Sequence, residues 1–190
     1  MAFTDIFLTQ PLRLRDLDDA ELMERTLRGD RDAFRELYDR HRNRVFMYGL
    51  RMLNSREAAL DLVQEVFMRV HTSRERFAPG SNFSAWLLRI TRNLCLNVLR
   101  SRATRGNEEM INEEMIELAD SSNELAMDLA GEIANLPPHY REALVLREYQ
   151  GLSYQEIADT TGQSLSNIKF RIFKARELLR RRLGGTLEGK

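Results

Sequence analysis

Residues 153–182 read SYQEIADTTGQSLSNIKFRIFKARELLRRR, and this stretch decides the fold of the carboxyl-terminal part of the chain. Ser153 is followed three residues later by Glu156, and this capping-box spacing predicts a helix that begins at Ser153. Gly162 lies where the chain must turn, because glycine adopts positive φ at no steric cost, and Ser164 is suited to cap a second helix. The stretch therefore predicts two helices joined by a tight turn.

The second helix of this pair has an apolar face and a basic, aromatic face. The positions expected to share one small core are Ile157, Leu165, Ile168 and Ile172. The positions expected to point outward are Asn167, Lys169, Phe170, Phe173, Lys174 and Arg176. Helix-turn-helix proteins lay such a second helix in the DNA major groove. A helical hairpin with a solvated basic face is the alternative, and DNA binding is favoured because the small Ala158, the turn glycine, the caps and the basic helix agree.

The composition bounds the fold class. The 190 residues are 43% hydrophobic and 31% charged, which is sufficient for a packed core and for one domain or two small ones. Apolar residues recur with helical spacing, and no stretch alternates strongly between apolar and polar residues as a strand does. The sequence therefore predicts an all-α protein.

The net charge is zero, but the charge is distributed unevenly along the chain. Residues 1–30 and 106–132 carry net charges of −3 and −9, whereas residues 31–105 and 133–190 carry +8 and +4. Two basic segments of this kind favour nucleic-acid binding, which the whole-chain charge conceals. The acidic segment between them is either a solvated spacer or a nucleic-acid mimic that folds back onto the basic faces.

Local signals divide the amino-terminal half into four helices. Asp18 and Asp30 are placed to cap the first two. The third helix is predicted from Arg56 to about His71 and the fourth from Phe83 to about Arg102, with Pro79-Gly80 as the turn between them. The third is expected to bury Leu62, Val63, Val66, Phe67 and Val70, and the fourth Leu87, Ile90, Leu94 and Val98.

Three aromatic residues surround the turn before the fourth helix: Phe77, Phe83 and Trp86. Aromatic side chains beside basic residues suit stacking on unpaired bases, which contributes about 1–3 kcal/mol per base. Trp86 is better explained as a core residue. Phe77 and Asn82, next to the turn, are expected to be exposed and available for such contacts.

Four stretches, in this order, resemble the bacterial alternative sigma factors of the extracytoplasmic-function (group IV) class. They are DAFRELYDRHRNRVF (32–46), DLVQEVFMRV (61–70), FSAWLLRITRNLCLNVLRSR (83–102) and LPPHYREALVLREYQGLSYQEIADTTGQSLSNIKFRIFKARELLRR (136–181). Each stretch is moderately specific by itself, and their order with an acidic linker between the last two is highly specific. The resemblance covers about residues 18–183.

The resemblance implies two small helical domains, sigma domain 2 and the helix-turn-helix sigma domain 4, joined by an acidic linker. The family lacks sigma domain 3, and the linker is too short and polar to supply one. Gly184-Gly185 is expected to end the second domain. The implied division is a flexible tail at 1–17, domain 2 at 18–105, the linker at 106–123, domain 4 at 124–184 and a tail at 185–190.

The implied function is that of an alternative sigma factor. Such a protein binds core RNA polymerase, recognises the minus-35 and minus-10 promoter elements and helps open the DNA, here in a stress or envelope response. The implied partners are core polymerase (its β′ clamp helices and β flap), promoter DNA and an anti-sigma factor. No enzymatic activity, cofactor or metal is expected. The expected location is the cytoplasm, at the nucleoid when polymerase is bound, or at the membrane when an anti-sigma factor holds the protein there.

Site residues carry over position by position. The polymerase-docking positions are Asp61, Gln64, Glu65 and Arg69. The minus-10 positions are Phe77, Ser81, Asn82, Phe83, Arg89, Arg92, Asn93 and Arg100. The minus-35 positions are Ser164, Ser166, Asn167, Lys169, Phe170, Arg171, Phe173, Lys174 and Arg176. Asn97 and Phe170 depart from the family pattern, so the promoter preference is not carried over.

Two other functions stay open from the residues alone. One is a stand-alone two-domain helix-turn-helix regulator that binds its operator without polymerase. The other is an enzyme or metal protein built on the amino-terminal helices, for which His41 and His71 lack a nucleophilic partner or a metal-ligand spacing. Cys95 is the only cysteine and is expected to be a small core residue.

Overall fold

The computed structural model describes residues 13–104 and 124–187, which form two helical units. The amino-terminal unit contains α1 (Asp19–Leu27), α2 (Arg31–Leu53), α3 (Arg56–Thr72) and α4 (Phe83–Thr104), with short 3-10 turns at Leu14–Asp16 and Arg74–Arg76. The carboxyl-terminal unit contains α5 (Glu124–Ala134), α6 (Pro138–Glu148), α7 (Tyr154–Thr161) and α8 (Leu165–Leu187). The described ranges contain no strand, which confirms the all-α prediction. The predictions for the first twelve residues and for the acidic linker at 106–123 lie outside the described residues.

Capping side chains begin the helices of the amino-terminal unit. The Asp18 carboxylate accepts a hydrogen bond from the Glu21 amide at 2.8 Å, and the Glu21 carboxylate accepts one from the Asp18 amide at 2.9 Å. Asp30 accepts from the amides of Asp32 and Ala33, each at 3.0 Å. These bonds satisfy backbone donors that have no partner within the helix, which confirms both predicted starts.

The core of the amino-terminal unit lies between α2 and α3, with α4 packed against both. The face of α3 that was expected to be buried is buried, namely Leu62, Val63, Val66, Phe67 and Val70. The two helices approach closely at Gly49, where an added Cβ would lie 2.9 Å from Leu62 Cδ2. A glycine is therefore needed there for close packing rather than for its backbone conformation.

The buried face of α4 differs from the expected one. Leu87 is buried as predicted, but Ile90, Leu94 and Val98 are only partly buried. The structure buries Leu88, Thr91 and Cys95 instead of completing that stripe. The reason is that the Thr91 hydroxyl donates to the Leu87 carbonyl oxygen at 2.9 Å, so a polar residue can face the core at no hydrogen-bonding cost.

The carboxyl-terminal unit contains the predicted helix-turn-helix in α7 and α8. Ser153 and Glu156 form the capping box, and Gly162 adopts a φ of 69° at the turn. Ser164 Oγ accepts from the Asn167 amide at 3.2 Å at the start of α8. These contacts confirm the starts of both helices and the position of the turn.

Two details of this unit differ from the sequence-based expectation. Leu165, which was placed in the core, is the first residue of α8 and is 36% exposed. The residue lies outside the contact between α7 and α8, which is filled by Ile157, Ile168 and Ile172. In addition, α8 continues through Gly184 and Gly185 to Leu187. Glycine costs only about 1 kcal/mol inside a helix, so these two glycines do not end it.

The two units pack directly against each other, with α2 in contact with both α5 and α6. Arg141 of α6 lies in this interface, is 2% exposed and donates through Nη1 to the Met52 carbonyl oxygen at 2.9 Å. The carboxyl end of α2 therefore lies in contact with the carboxyl-terminal unit.

Candidate functional site

The outward face of α3 carries the four predicted polymerase-docking residues. All four are exposed, namely Asp61, Gln64, Glu65 and Arg69. Arg69 and Glu65 form an ion pair at 3.5 Å one helical turn apart, with about half of each side chain exposed. A pair so exposed contributes little to stability. The exposed residues of this face therefore contribute little to the stability of the fold and are accessible to a partner.

Apolar residues lie beside this polar face. Leu60 and Met68 are 50% and 55% exposed, and together with Gln64 they form a stripe with a spacing of four residues along α3. The stripe borders a groove of about 670 Å³ between α2 and α3, whose other wall includes Phe34 and Tyr38. Leu60 and Met68 were not predicted from the sequence, although both fall outside the helical spacing of the buried face of α3. A mixed polar and apolar groove of this kind is typical of a protein-binding surface rather than a DNA-binding one.

The loop before α4 is built on an aromatic cluster. Phe77 is 3% exposed, and its ring centroid lies 6.0 Å from that of Phe83 and 5.3 Å from that of Trp86. The prediction that Phe77 is exposed is wrong, because its ring packs edge-on against the other two rings. Phe83 is 2% exposed as well. Neither ring is available for base stacking in this conformation.

The polar residues of the same loop remain accessible. Asn82 is exposed, and its Oδ1 accepts from the Ala85 amide at 3.0 Å, so it caps α4. Ser81 is half-buried, and its amide donates to the Ala78 carbonyl oxygen at 3.0 Å across the turn. Gly80 adopts a φ of 75° at that turn. The aromatic cluster thus holds a polar loop at the start of α4.

A polar stripe continues from this loop along α4. Its members are Arg89, Asn93, Asn97 and Arg100, all exposed and spaced so that they share one helix face. The Arg100 guanidinium donates to Asn97 Oδ1 at 2.9 Å, which links the last two. Of the eight predicted minus-10 residues, Arg89, Asn93 and Arg100 lie together on this stripe.

Arg92 differs from its neighbours on α4, because its guanidinium is bound by a residue of the carboxyl-terminal unit. Its Nε and Nη2 donate to the Glu142 carboxylate at 2.8 and 3.2 Å. Only 19% of the Arg92 side chain and 7% of the Glu142 side chain are exposed. Arg92 therefore faces α6 rather than solvent, and the sequence contained no local signal for this pair.

The outward face of α8 carries the central group of predicted minus-35 residues. Phe170 and Phe173 are 52% and 62% exposed, and Ser166 and Lys169 are exposed on the same helix face. Two adjacent large aromatic side chains so exposed on a small unit have no role in its core. A basic and apolar helix face fits base edges and the thymine methyl group in the major groove.

The flanks of this face are ordered by hydrogen bonds within the unit. On one flank, Arg171 donates to Asn167 Oδ1 and to Gln163 Oε1, each at 3.1 Å. Lys174 donates to Glu177 at 2.7 Å, and this bond lowers the pKa of the Glu177 carboxyl. On the other flank, Arg176 donates to Glu148 at 2.5 Å. These side chains are held in place around the central face, and Ser164 serves as the helix cap.

His41 and Cys95 have structural roles in the amino-terminal unit. His41 is buried, and its Nε2 lies 2.7 Å from the Asp19 carboxylate. Cys95 is buried as predicted, and burial raises the pKa of its thiol to about 12, so it stays protonated. Within residues 13–104 and 124–187, no group of three His, Cys, Asp or Glu side chains is placed to hold a metal ion. In the same ranges, no helix combines the length and apolarity that crossing a membrane requires.

Comparison with known families gives two matches that follow the two helical units. The model of Sigma-70 region 2 matches residues 37–105, and that of Sigma-70, region 4 matches residues 126–179. The chain is 34% identical over 182 residues to the ECF RNA polymerase sigma-E factor of Haemophilus influenzae, and the match covers 88% of this chain and 96% of that protein.

Solved structures give the same result for the fold. The structure of CnrH in complex with the cytosolic domain of CnrY matches with a TM-score of 0.70 at 26% identity, over 88% of this chain and 97% of that one. The sigma factor RpoE, solved in complex with the anti-sigma factor NepR from Bartonella quintana, matches with a TM-score of 0.64 at 24% identity, over 80% and 96%. The chain therefore belongs to the sigma-70 family, in its extracytoplasmic-function class of RNA polymerase sigma factors.

Proposed function

We propose that three exposed faces of this sigma factor divide the work of transcription initiation between polymerase and promoter. The observation that carries the proposal is their chemistry: a mixed polar and apolar face on α3, a polar stripe on α4, and a basic, aromatic face on α8. Sigma factors are transcription initiation factors rather than enzymes. The three faces account for the contacts of a sigma factor with polymerase and promoter DNA, and none of these contacts requires a covalent step.

The α3 face docks onto core polymerase. Asp61, Gln64 and Glu65 supply polar contacts to the β′ clamp helices, and Leu60 and Met68 supply the apolar area that a protein interface needs at its centre. Arg69 contributes at the rim, where its pair with Glu65 is already solvated. The β flap is contacted by the carboxyl-terminal unit.

The loop before α4 and the polar stripe bind the minus-10 element. Ser81, Asn82 and Asn93 offer hydrogen-bonding groups to unpaired bases, while Arg89 and Arg100 contact phosphates. Phe77 and Phe83 act by holding the loop, since both rings are buried in the aromatic cluster. Unpairing DNA costs about 1.4 kcal/mol per step in stacking, so trapping one base offsets the nucleation of the bubble.

The α8 face binds the minus-35 element in the major groove. Lys169, Phe170 and Phe173 meet base edges, and Ser166 lies on the same face. The flanking residues bind the sugar-phosphate backbone and set the register, namely Ser164, Asn167, Arg171, Lys174 and Arg176. Phosphate contacts of this kind make the affinity depend strongly on salt.

An anti-sigma factor controls the protein, in a stress or envelope response. The support is the fold shared with RpoE, which was solved bound to the anti-sigma factor NepR. The α3 face and the α8 face are the surfaces such a partner would cover. The protein then acts in the cytoplasm, at the nucleoid with polymerase, or stays at the membrane when a membrane-bound anti-sigma factor holds it there.

The docking claim is tested by Asp61→Ala with Gln64→Ala, measured as affinity for purified core polymerase. The matched control is Asp39→Ala with Asn43→Ala, which removes an exposed carboxylate and an exposed amide from a different face of α2 from Phe34 and Tyr38. The first variant is expected to lose at least tenfold in affinity, about 1.4 kcal/mol, and the control to lose little. Equal affinities for the two variants would overturn the assignment of the α3 face.

A further inference from the structure

The carboxyl-terminal unit presents a row of polar side chains to the amino-terminal unit. Arg141 is anchored in its own unit through Nη2, which donates to the carbonyl oxygens of Ala134 and Leu136, while Nη1 donates to Met52 of α2. One buried guanidinium thus joins the end of α2 to the turn between α5 and α6. Breaking the interface would leave the buried Met52 carbonyl to water or to another partner.

Gln150, just beyond α6, forms a second polar contact. Arg44 of α2 donates through Nε to Gln150 Oε1 and through Nη2 to its carbonyl oxygen, both at 2.8 Å. The Gln150 side chain donates in turn through Nε2 to the Arg44 carbonyl oxygen at 3.2 Å. Beside it, the guanidinium of Arg51 lies 4.9 Å from the ring centroid of Tyr149. Contacts that use both backbone and side chain fix the register of the two units.

Glu142 makes the third contact, and its partner Arg92 is one of the residues that the family resemblance assigns to minus-10 DNA. Its carboxylate accepts two hydrogen bonds from Arg92, and one of its oxygens lies 3.5 Å from the Tyr48 hydroxyl oxygen. The forked geometry of a guanidinium matches a carboxylate and a phosphate equally well. Arg92 is one turn from Arg89 on α4, so Glu142 occupies the edge of the polar stripe that was assigned above to minus-10 DNA.

We infer that α6 is an internal ligand of the amino-terminal unit, in which Glu142 takes the place of a DNA phosphate on Arg92 and keeps the free protein closed. The inference rests on the proposed function only for the identity of the ligand that Glu142 replaces. In the closed protein, Arg92 cannot bind DNA while Glu142 holds it. Opening the interface releases Arg92 and lets the two units bind separate promoter elements.

The test is to measure the distance between the units in the full-length protein. Fluorescent donor and acceptor labels are placed at two exposed positions, Glu24→Cys in α1 and Gln155→Cys in α7. Glu142→Gln is expected to shift the energy transfer toward lower values, because a neutral amide loses the charge attraction to the Arg92 guanidinium and can accept only one of its two hydrogen bonds. The matched control is Glu132→Gln, whose partner Arg182 lies in the same unit at 3.2 Å, and it is expected to leave the distance unchanged.

Exchanging the charges of Arg92 and Glu142 tests whether this ion pair keeps the protein closed. Arg92→Glu is expected to open the protein by repulsion, and the double variant Arg92→Glu with Glu142→Arg is expected to close it again. Circular dichroism of each variant shows that both units remain folded. Failure of the double variant to restore the wild-type distance, or a Glu142→Gln variant as closed as the wild type, would overturn the inference.

DNA binding by the free protein tests the masking of Arg92. The probe is a fluorescein-labelled single-stranded 40-mer of mixed sequence, followed by anisotropy without polymerase. Glu142→Gln is expected to bind about tenfold more tightly, which corresponds to an open fraction of about one tenth in the wild type. An opened variant with unchanged affinity would overturn the masking. Neither readout uses polymerase or a promoter, so failure of the proposed function would show separately, as loss of promoter-directed transcription.

Discussion

Replacing Gly49 by alanine tests the close packing that supports the proposed docking face. A Cβ at position 49 would lie 2.9 Å from Leu62 Cδ2 and 3.3 Å from Ala59 Cα. Leu62 can rotate, but the Ala59 backbone cannot move without shifting α3. The matched control is Gly131→Ala in α5, where an added Cβ has no neighbour within 4 Å.

Two opposing effects set the magnitude. Alanine is favoured over glycine inside a helix by about 0.5–1 kcal/mol. Overpacking a filled core typically costs about 1–3 kcal/mol. Because the contact at Gly49 includes α3 backbone, we expect the cost to exceed the gain and Gly49→Ala to lower the free energy of unfolding by about 1 kcal/mol. Gly131→Ala has only the favourable effect of the helix preference of alanine, and it is expected to raise the free energy of unfolding by as much as about 1 kcal/mol.

Thermal unfolding followed by circular dichroism measures both variants. A change of about 1 kcal/mol corresponds to about 2–4 °C for a chain of this size. We expect the Tm to fall for Gly49→Ala and to rise for Gly131→Ala. Since α3 also carries Asp61 and Gln64, only the first variant should weaken binding to core polymerase. Shifts of the same sign in the two variants would refute the account of the α2–α3 contact.

Three further results are expected. Phe170→Ala with Phe173→Ala should leave the Tm unchanged, because both rings are more than half exposed. The same variant should weaken promoter binding by the holoenzyme by about 1–3 kcal/mol in a filter-binding assay. Unchanged promoter binding by the double variant would argue against the α8 face. The hydrogen bond from His41, with a smaller contribution from Arg40, lowers the pKa of the Asp19 carboxyl from its ordinary value of 3.8 against the opposing effect of burial. The stabilisation by the Asp19 carboxylate is therefore complete above about pH 4 and is lost as the pH falls through the lower pKa of the folded state. On acidification, the free energy of unfolding measured with urea should fall less for Asp19→Asn than for the wild type. Cys95, buried and with a thiol pKa of about 12, should react with a maleimide at pH 7 only after the protein is unfolded, as followed by mass spectrometry.

Local chemistry made much of the fold predictable. The capping residues Asp18, Asp30, Ser153 and Ser164 act within three residues of themselves, so their sequence spacing is sufficient to place helix starts. The buried stripe of α3 follows the helical period without interruption. These features were all found where the sequence placed them.

Features that depend on how the chain packs across a turn or between helices were not predictable in the same way. Phe77 stands next to a turn and is expected to be exposed, but the rings of Phe83 and Trp86, at the start of α4, pack against it across the turn. Leu165 has the spacing of a core residue but precedes the point where α8 meets α7. The pair of Arg92 and Glu142 joins residues 50 positions apart, and neither residue has a neighbour in sequence that indicates it.

The candidate site shows the same division. The α8 face follows from the period of one helix, and Phe170 and Phe173 were correctly expected to point outward. Leu60 and Met68 were missed because an apolar residue is assigned to the core by default, and only the structure shows that the groove beside them is open. The role of each residue toward polymerase and promoter stays a prediction.

The most direct test of the central claim is in vitro transcription with purified core polymerase on a library of genomic fragments, with the start sites mapped. We predict discrete start sites that require the added protein and share two upstream elements. We further predict that these transcripts disappear with the Asp61→Ala, Gln64→Ala variant and persist with the Asp39→Ala, Asn43→Ala control. Tight sequence-specific binding by the free protein in a gel shift, without any start site that depends on it, would contradict the account and favour a stand-alone regulator.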